Sequence, residues 1–254
     1  MLDALDASGL PHGALRDVRL TLFGSKFTRR EVVRAARYFD GNVFVIYGAT
    51  EIGGISIADV NDIEAHEDSV GRACPGVSIQ ILDDEGFVAP FGSRGLIGIR
   101  SAACIDGYLD NDVLNERHFK SGWFCPGDIG TLLEGGLLLF HGRADEMMIL
   151  NGINIFPEEI ERVAEKLDGV IDCAAFSVVS EVHGSIPILA VVLDEMQNDS
   201  LILKMCREHL GLRAPRKVVA VDKIPRNFQG KILRRTLASD FASFKSANRN
   251  ADAV

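Results

Sequence analysis

The chain has 254 residues, and 27 lysines and arginines against 36 aspartates and glutamates give a formal charge of -9. Hydrophobic residues at 47% and charged residues at 25% are ordinary for a globular protein, which argues against wholesale disorder and leaves room for one large domain or two of usual size. The acidic balance disfavours a nucleic-acid or anionic-membrane partner, and the longest wholly apolar stretch, Ile186 to Leu193, is too short for a membrane span.

Asp3 and Asp6 interrupt the amino terminus where a secretory leader would be apolar. The five cysteines are widely spaced and form no C-x-x-C pair, so they read as small buried hydrophobes in a reducing, cytoplasmic setting. The six histidines are scattered too, and no protein-built metal cage is expected.

In chain order, Arg29 to Tyr38 predicts a helix with Val32, Val33, Ala36 and Phe39 on one face. Asn42 to Tyr47 (NVFVIY) then reads as a strand buried on both faces. Helix followed by buried strand is the tail of an α/β layer, covering about residues 1–60. Between 70 and 142 the texture changes to short strands at Val77–Asp83, Gly95–Arg100, Ile129–Leu133 and Leu137–His141. Glycine and proline turn signals separate them, which predicts a small antiparallel β-barrel.

After Gly142, Pro157-Glu158-Glu159 is a helix start, with Ile160, Val163, Ala164 and Leu167 as its apolar stripe. Strands at Ala174–Val179 and Ile186–Leu193, a helix from about Ser200 to Leu210 and a strand at Lys217–Val221 complete a compact α+β domain. The expected class is therefore multi-domain α/β and α+β. It has a first part over 1–144, a carboxy-terminal domain over 145–244 and a frayed polar tail over 245–254.

Four clusters could carry chemistry, all on connections between elements. The first, Tyr47-Gly48-Ala49-Thr50-Glu51, lies at the carboxyl end of the buried strand, where α/β sheets bind ligands. There a tyrosine ring can stack on a base, a threonine can donate to phosphate and a glutamate can hold Mg²⁺. The same five residues also read as a core tyrosine, a turn and a cap.

In the second cluster, Asp128 stands between glycines in Gly127-Asp128-Ile129-Gly130. It suits either two ribose hydroxyls or a simple Asx turn. The third, GRADEMMILNGINIFPEEIE over Gly142–Glu161, offers Arg143 to a nucleotide, Asp145 as a flexing point and Gly152 for a positive φ or a close backbone approach. The plain alternative is a linker followed by a well-capped helix. The fourth, Pro225 to Arg235, presents Lys231 after Gly230 on a flexible, exposed turn. It reads as a phosphoryl contact or a solvated basic face.

Taken in order and at these separations, the four clusters resemble the adenylate-forming (AMP-binding) superfamily, over about residues 15–240. The resemblance favours the acyl-CoA synthetase branch, partly through GRADEMMILNGINIFPEEIE. The resemblance implies activation of a small-molecule carboxylic acid by Mg·ATP to an acyl-adenylate, then transfer to a thiol, usually coenzyme A. Its cofactors would be ATP/AMP, Mg²⁺ and coenzyme A. It implies Tyr47 on adenine, Thr50 at the phosphate, Glu51 on Mg²⁺, Asp128 on the ribose with Arg143 beside it, and Lys231 as catalytic lysine. It also implies Asp145 as hinge and Gly152 in the loop that meets the thiol. Gly24-Ser25 matches, loosely, the family's Gly-Gly-Ala beside adenine. Tyr47, Asp128 and Lys231 would then meet around one adenosine monophosphate.

Several positions depart from the pattern. No segment corresponds to the Gly/Ser/Thr-rich loop that wraps the ATP phosphates, so the chain resembles a carboxy-terminal portion, and a separate chain could supply the missing half. Pro126 stands for a usual threonine, Asn227-Phe228-Gln229 for small hydroxyl residues, and Ile149 for a frequent lysine. Two other readings remain open: a non-catalytic module that binds AMP or docks a partner, and the inactive product of a truncated gene.

Overall fold

A computed structural model describes residues 1–24, 27–194 and 199–251. It divides into two compact units, Met1–Ala144 and Asp145–Val254.

The first unit opens with α1 (Leu2–Ala7), β1 (Leu20–Phe23) and α2 (Arg29–Phe39). Thr28 and Glu31 close a reciprocal capping box at the start of α2. The buried face of α2 carries Val32, Ala35, Tyr38 and Phe39, so the predicted stripe is rotated towards Ala35. β2 (Val43–Ala49) then runs parallel to β1, the right setting for a helical crossover. Of its residues only Val43 is fully buried, the rest being half-buried, so the expectation of a strand enclosed on both faces is corrected.

β2 turns straight back as a hairpin into β3 (Gly53–Asp59), and Gly48 makes that hairpin possible. A Cβ there would sit 2.3 Å from the Gly53 carbonyl oxygen. The chain continues through α3 (Val60–Ala65), β4 (Ser69–Ala73), β5 (Val77–Leu82), β6 (Arg94–Ser101) and α4 (Asp112–His118). Two short strands follow, β7 (Phe119–Lys120) and β8 (Trp123–Phe124), then β9 (Asp128–Leu132) and β10 (Leu137–Arg143).

The four predicted strands exist as β5, β6, β9 and β10, but they close no barrel. They join β4, β3, β2 and β1 in one ten-stranded sheet, because β4 pairs with both β3 and β10. The alternation pattern specified strands but carried no information on which edge closes on which. Ile55, Ile81, Ile97, Ile99, Phe124 and Leu138 form the core beneath the site, and each such side chain contributes about 1.5–3 kcal/mol on burial.

The second unit begins with the hairpin β11 (Met148–Leu150) and β12 (Ile153–Ile155), joined by Asn151-Gly152, both at positive φ. α5 (Pro157–Ala164), β13 (Val170–Ser180), β14 (Gly184–Leu193), α6 (Asp199–Leu210), β15 (Lys217–Ala220) and α7 (Arg234–Ala251) follow. The five-stranded sheet has the order β12-β11-β14-β13, with β15 parallel on β14. One core, built on Ile155, Ile160, Leu189 and Ile202, lies against α5 and α6; the other, around Phe176, Leu237 and Phe241, lies against α7. α7 runs to Ala251, and the end of the expected polar tail, 252–254, lies outside the described residues.

Candidate functional site

The first unit carries a cleft of about 350 Å³, lined by Gly48, Ala49, Thr50, Glu51, Tyr108, His118, Phe124, Pro126, Asp128 and Arg143. Three separate stretches of chain build it. The β2–β3 hairpin supplies Thr50 and Glu51 at its turn. β9 and β10 supply Asp128 and Arg143, which face one another across the ladder. The Gly107–Phe124 region supplies Tyr108 and His118.

Asp128 is the hub of the cleft. Its side chain is 9% exposed, and its Oδ2 accepts a 2.5 Å hydrogen bond from the Tyr47 hydroxyl while Arg143 Nη1 lies 3.3 Å from Oδ1. The Tyr47 ring packs at 5.9 Å, tilted, against Phe140, as part of the core. Burial pushes the Tyr47 phenol well above its ordinary value, and the charge of Asp128 and the bond to it add to the shift. The phenol therefore remains a donor, and it orients the carboxylate.

Glu51 is fixed in a comparable way. Its Oε1 accepts from the Tyr108 hydroxyl at 2.7 Å, and its carbonyl accepts from Ile105 N–H at 2.9 Å. Burial, then the bond to Glu51, raises the Tyr108 phenol to about 12. The His118 ring stands edge-on to Tyr108 at 6.0 Å, and its Nδ1 lies 2.7 Å from the Cys125 carbonyl. Sequence reasoning passed over both Tyr108 and His118. Neither sits in a motif-like spacing, and only the fold of α4 back onto β8 brings them to the cleft.

Gly24, at the carboxyl end of β1, has a φ of 94° and is not among the residues lining the cleft. Since Phe23 pairs with Ile46, it lies beside the end of β2. Ser25 lies outside the described residues.

Asp145, Gly152 and Lys231 belong to the second unit. Asp145 is its first residue, in the turn between β10 and β11. Gly152 sits in the turn at φ 81°, with no protein atom within 4 Å of where a Cβ would be, so the backbone there is open on that side. Lys231 follows a turn that its neighbours hydrogen-bond closely. The Asn227 side-chain oxygen accepts from the N–H groups of Gln229 and Lys231 at 3.0 and 2.9 Å, and Arg226 donates to the Gly230 carbonyl at 3.0 Å. The Lys231 ammonium is 4.0 Å from Glu146, with the side chain 57% exposed.

Behind it, Arg234 is enclosed. It donates to Glu146 at 2.8 Å, to the Ala175 carbonyl at 2.8 Å and to Glu161, which is itself buried. Burial opposes its charge, but Glu161 and Glu158 outweigh that and hold the guanidinium above its ordinary value.

Among the described residues no three His, Cys, Asp or Glu side chains gather as a metal cage. Glu51 alone suits Mg²⁺ arriving with nucleotide phosphates. Its second oxygen has no protein partner among the described residues, and Mg²⁺ is commonly held by one or two carboxylates plus substrate oxygens.

A mixed sheet whose strand ends gather a carboxylate, a threonine and a glutamate around one cleft is the arrangement in which α/β folds bind ligands. Comparison with known proteins agrees. Residues 1–109 match the family described as AMP-binding enzyme, and residues 159–231 match the AMP-binding enzyme C-terminal domain. The chain belongs to the adenylate-forming, AMP-binding superfamily.

It is 30% identical over 196 residues to a long-chain-fatty-acid–CoA ligase of Salmonella typhimurium, covering 76% of this chain and 35% of that one. The amide bond synthetase McbA of Marinactinospora thermotolerans superposes with a TM-score of 0.81 at 27% identity, over 88% of this chain and 46% of that one. The o-succinylbenzoate CoA synthetase of Bacillus subtilis, in complex with its acyl-adenylate intermediate, gives a TM-score of 0.79 at 26% identity, over 93% and 49%. The chain thus spans less than half the length of each of these relatives. Among the described residues no helix is long and apolar enough to cross a membrane.

Proposed function

We propose that the cleft of the first unit binds the adenosine monophosphate part of an acyl-adenylate, and that the protein serves AMP-forming ligation of a carboxylic acid to a thiol in the cytoplasm. The observation that carries this reading is Asp128, held by Tyr47 and Arg143 at the rim of a cleft that also contains Thr50 and Glu51. A carboxylate fixed by a phenol on one oxygen and a guanidinium on the other is oriented before ligand arrives, and it can accept from two vicinal hydroxyls.

In this reading adenine lies at the end of β2, against the Gly48–Ala49 backbone and the Tyr47 ring, with Gly24 bordering it. Asp128 holds the ribose. Thr50 and Arg143 bind the α-phosphate, and Glu51 receives the magnesium of Mg·ATP. The acid's carboxylate oxygen attacks the α-phosphorus and pyrophosphate leaves with its electron pair. The thiolate sulfur of coenzyme A then attacks the acyl carbon, and AMP leaves.

Lys231 counters charge at the α-phosphate in the first step. Asp145 is the pivot between half-reactions, and the β11–β12 turn with Gly152 serves the thiol. A Gly/Ser/Thr-rich loop for the ATP phosphates has no counterpart in residues 1–254, so adenylation takes that loop from a further segment or a separate chain.

Isothermal titration with AMP tests the reading. The chain should bind AMP, and Asp128→Asn should weaken binding by about ten- to a hundredfold, the usual worth of a hydrogen bond to a charged group. Equal affinity in the two proteins would overturn it.

A further inference from the structure

The cleft has a cation deficit at the place where a phosphate must be met. Glu51 and Asp128 bring two carboxylates, while Arg143 is the one guanidinium among the lining residues and is already drawn to Asp128. Pro126, also on the wall, contributes neither N–H nor hydroxyl.

His118 is the lining residue with something left to give. Its Nδ1 is 2.7 Å from the Cys125 carbonyl, an acceptor only, so that nitrogen carries the proton and donates. The ring is further fixed by its edge-on contact with Tyr108 and by the returning bond from Cys125 N–H to the His118 carbonyl at 2.7 Å. Nε2 has no partner among the described residues.

The ring also lies on the correct side of the cleft. A Cβ placed on Gly127 would be 4.0 Å from His118 Cε1 and 3.6 Å from Arg143 Nη2, so imidazole and guanidinium converge on the same point beside Asp128. Gly127, at φ 91°, leaves that point open.

We propose that His118 is a phosphoryl contact of this cleft: as an imidazolium, with Nδ1–H kept on the Cys125 carbonyl and a second proton on Nε2, its Nε2–H donates to a non-bridging oxygen of a nucleoside 5′-phosphate which Arg143 binds from the other side. The proposal rests on the adenylate-binding reading and adds a residue to it. A rigid ring donor beside a partly committed guanidinium supplies what the proline lacks. A hydrogen bond to an ionised oxygen is roughly twice as strong as a neutral one, so the contact separates a nucleotide from its nucleoside.

Titration of the chain with AMP and with adenosine tests this, using two variants that divide the ring between them. In His118→Asn the amide nitrogen occupies the place of Nδ1 and keeps the Cys125 bond, but the distal edge is gone. In His118→Gln the amide nitrogen reaches the place of Nε2. We expect His118→Asn to weaken AMP about tenfold with adenosine unchanged, and His118→Gln to restore most of the AMP affinity.

Unaltered AMP binding in His118→Asn overturns the proposal while leaving the adenylate reading intact. Equal losses for AMP and adenosine overturn it as well, since they assign the ring to the ribose or to the scaffold. Absence of AMP and adenosine binding in the unsubstituted chain removes both the proposal and the reading beneath it.

Discussion

The two units use charge in opposite ways. In the second, Arg234 is surrounded by Glu146, Glu158, Glu161 and a carbonyl, and it ties the start of α7 to α5 and β13. Lys231, three residues away, is left largely in water. In the first unit the carboxylates of the site are held by neighbours and also border open space. Tyr47 and Arg143 take Asp128, Tyr108 takes one oxygen of Glu51, and the other faces of these groups border a cleft. A charge enclosed by its neighbours is scaffold, whereas one restrained at the wall of an open cleft is prepared for ligand.

The largest expected effect lies in the scaffold. Arg234→Ala leaves Glu161, 1% exposed, without its guanidinium, and should destabilise the second unit by about 3–5 kcal/mol, read as a lowered unfolding midpoint in urea. Loss below about 1 kcal/mol would mean that water replaces the guanidinium and that the cluster is no scaffold.

Next comes the exposed lysine. Lys231→Ala should slow acyl-adenylate formation by about 100–1,000-fold, measured as pyrophosphate exchange with the phosphate-binding segment present, while AMP affinity and unfolding stay as they were. A simultaneous loss of stability would place Lys231 with Arg234 as scaffold.

Tyr47→Phe should weaken AMP several-fold, since about 0.5–1.5 kcal/mol of carboxylate orientation is removed. Tyr108 offers a pH test. A phenol whose value rises from 10.0 to about 12 on folding contributes stability below the lower value and loses it as pH climbs through the higher. Stability should fall across that alkaline window, and Tyr108→Phe should flatten the fall. The smallest effect is Glu146→Gln on Lys231, because a half-exposed pair at 4.0 Å is worth about 0–1 kcal/mol. Its adenylation rate should change by less than about fivefold.

How far the sequence disclosed this division depended on the kind of information each residue carries. Strands β5, β6, β9, β13 and β14 and helices α5 and α6 announced themselves through alternation, stripe and cap, which are local properties. The pairing of β4 with β10, which replaces the expected barrel by one long sheet, rests on contacts between residues such as Gly71 and Leu138 that no local pattern marks. β3 was hidden by its glycines and alanine, weak strand formers whose place is set by the tight approach at Gly48. The Asn151-Gly152 hairpin was legible in principle, being a favoured two-residue turn, but was read as linker and loop.

In the site, Asp128, Arg143, Thr50 and Glu51 stood in motif-like runs. Tyr108 and His118 reached the cleft only by tertiary folding, and the Asn227 side chain revealed its role only through the two N–H groups it holds.

A crystal structure of the chain grown with AMP tests the central claim most directly. The account predicts ribose hydroxyls within hydrogen-bonding distance of Asp128, and adenine against the end of β2. AMP seated elsewhere, or a cleft left empty at saturating nucleotide, would contradict it.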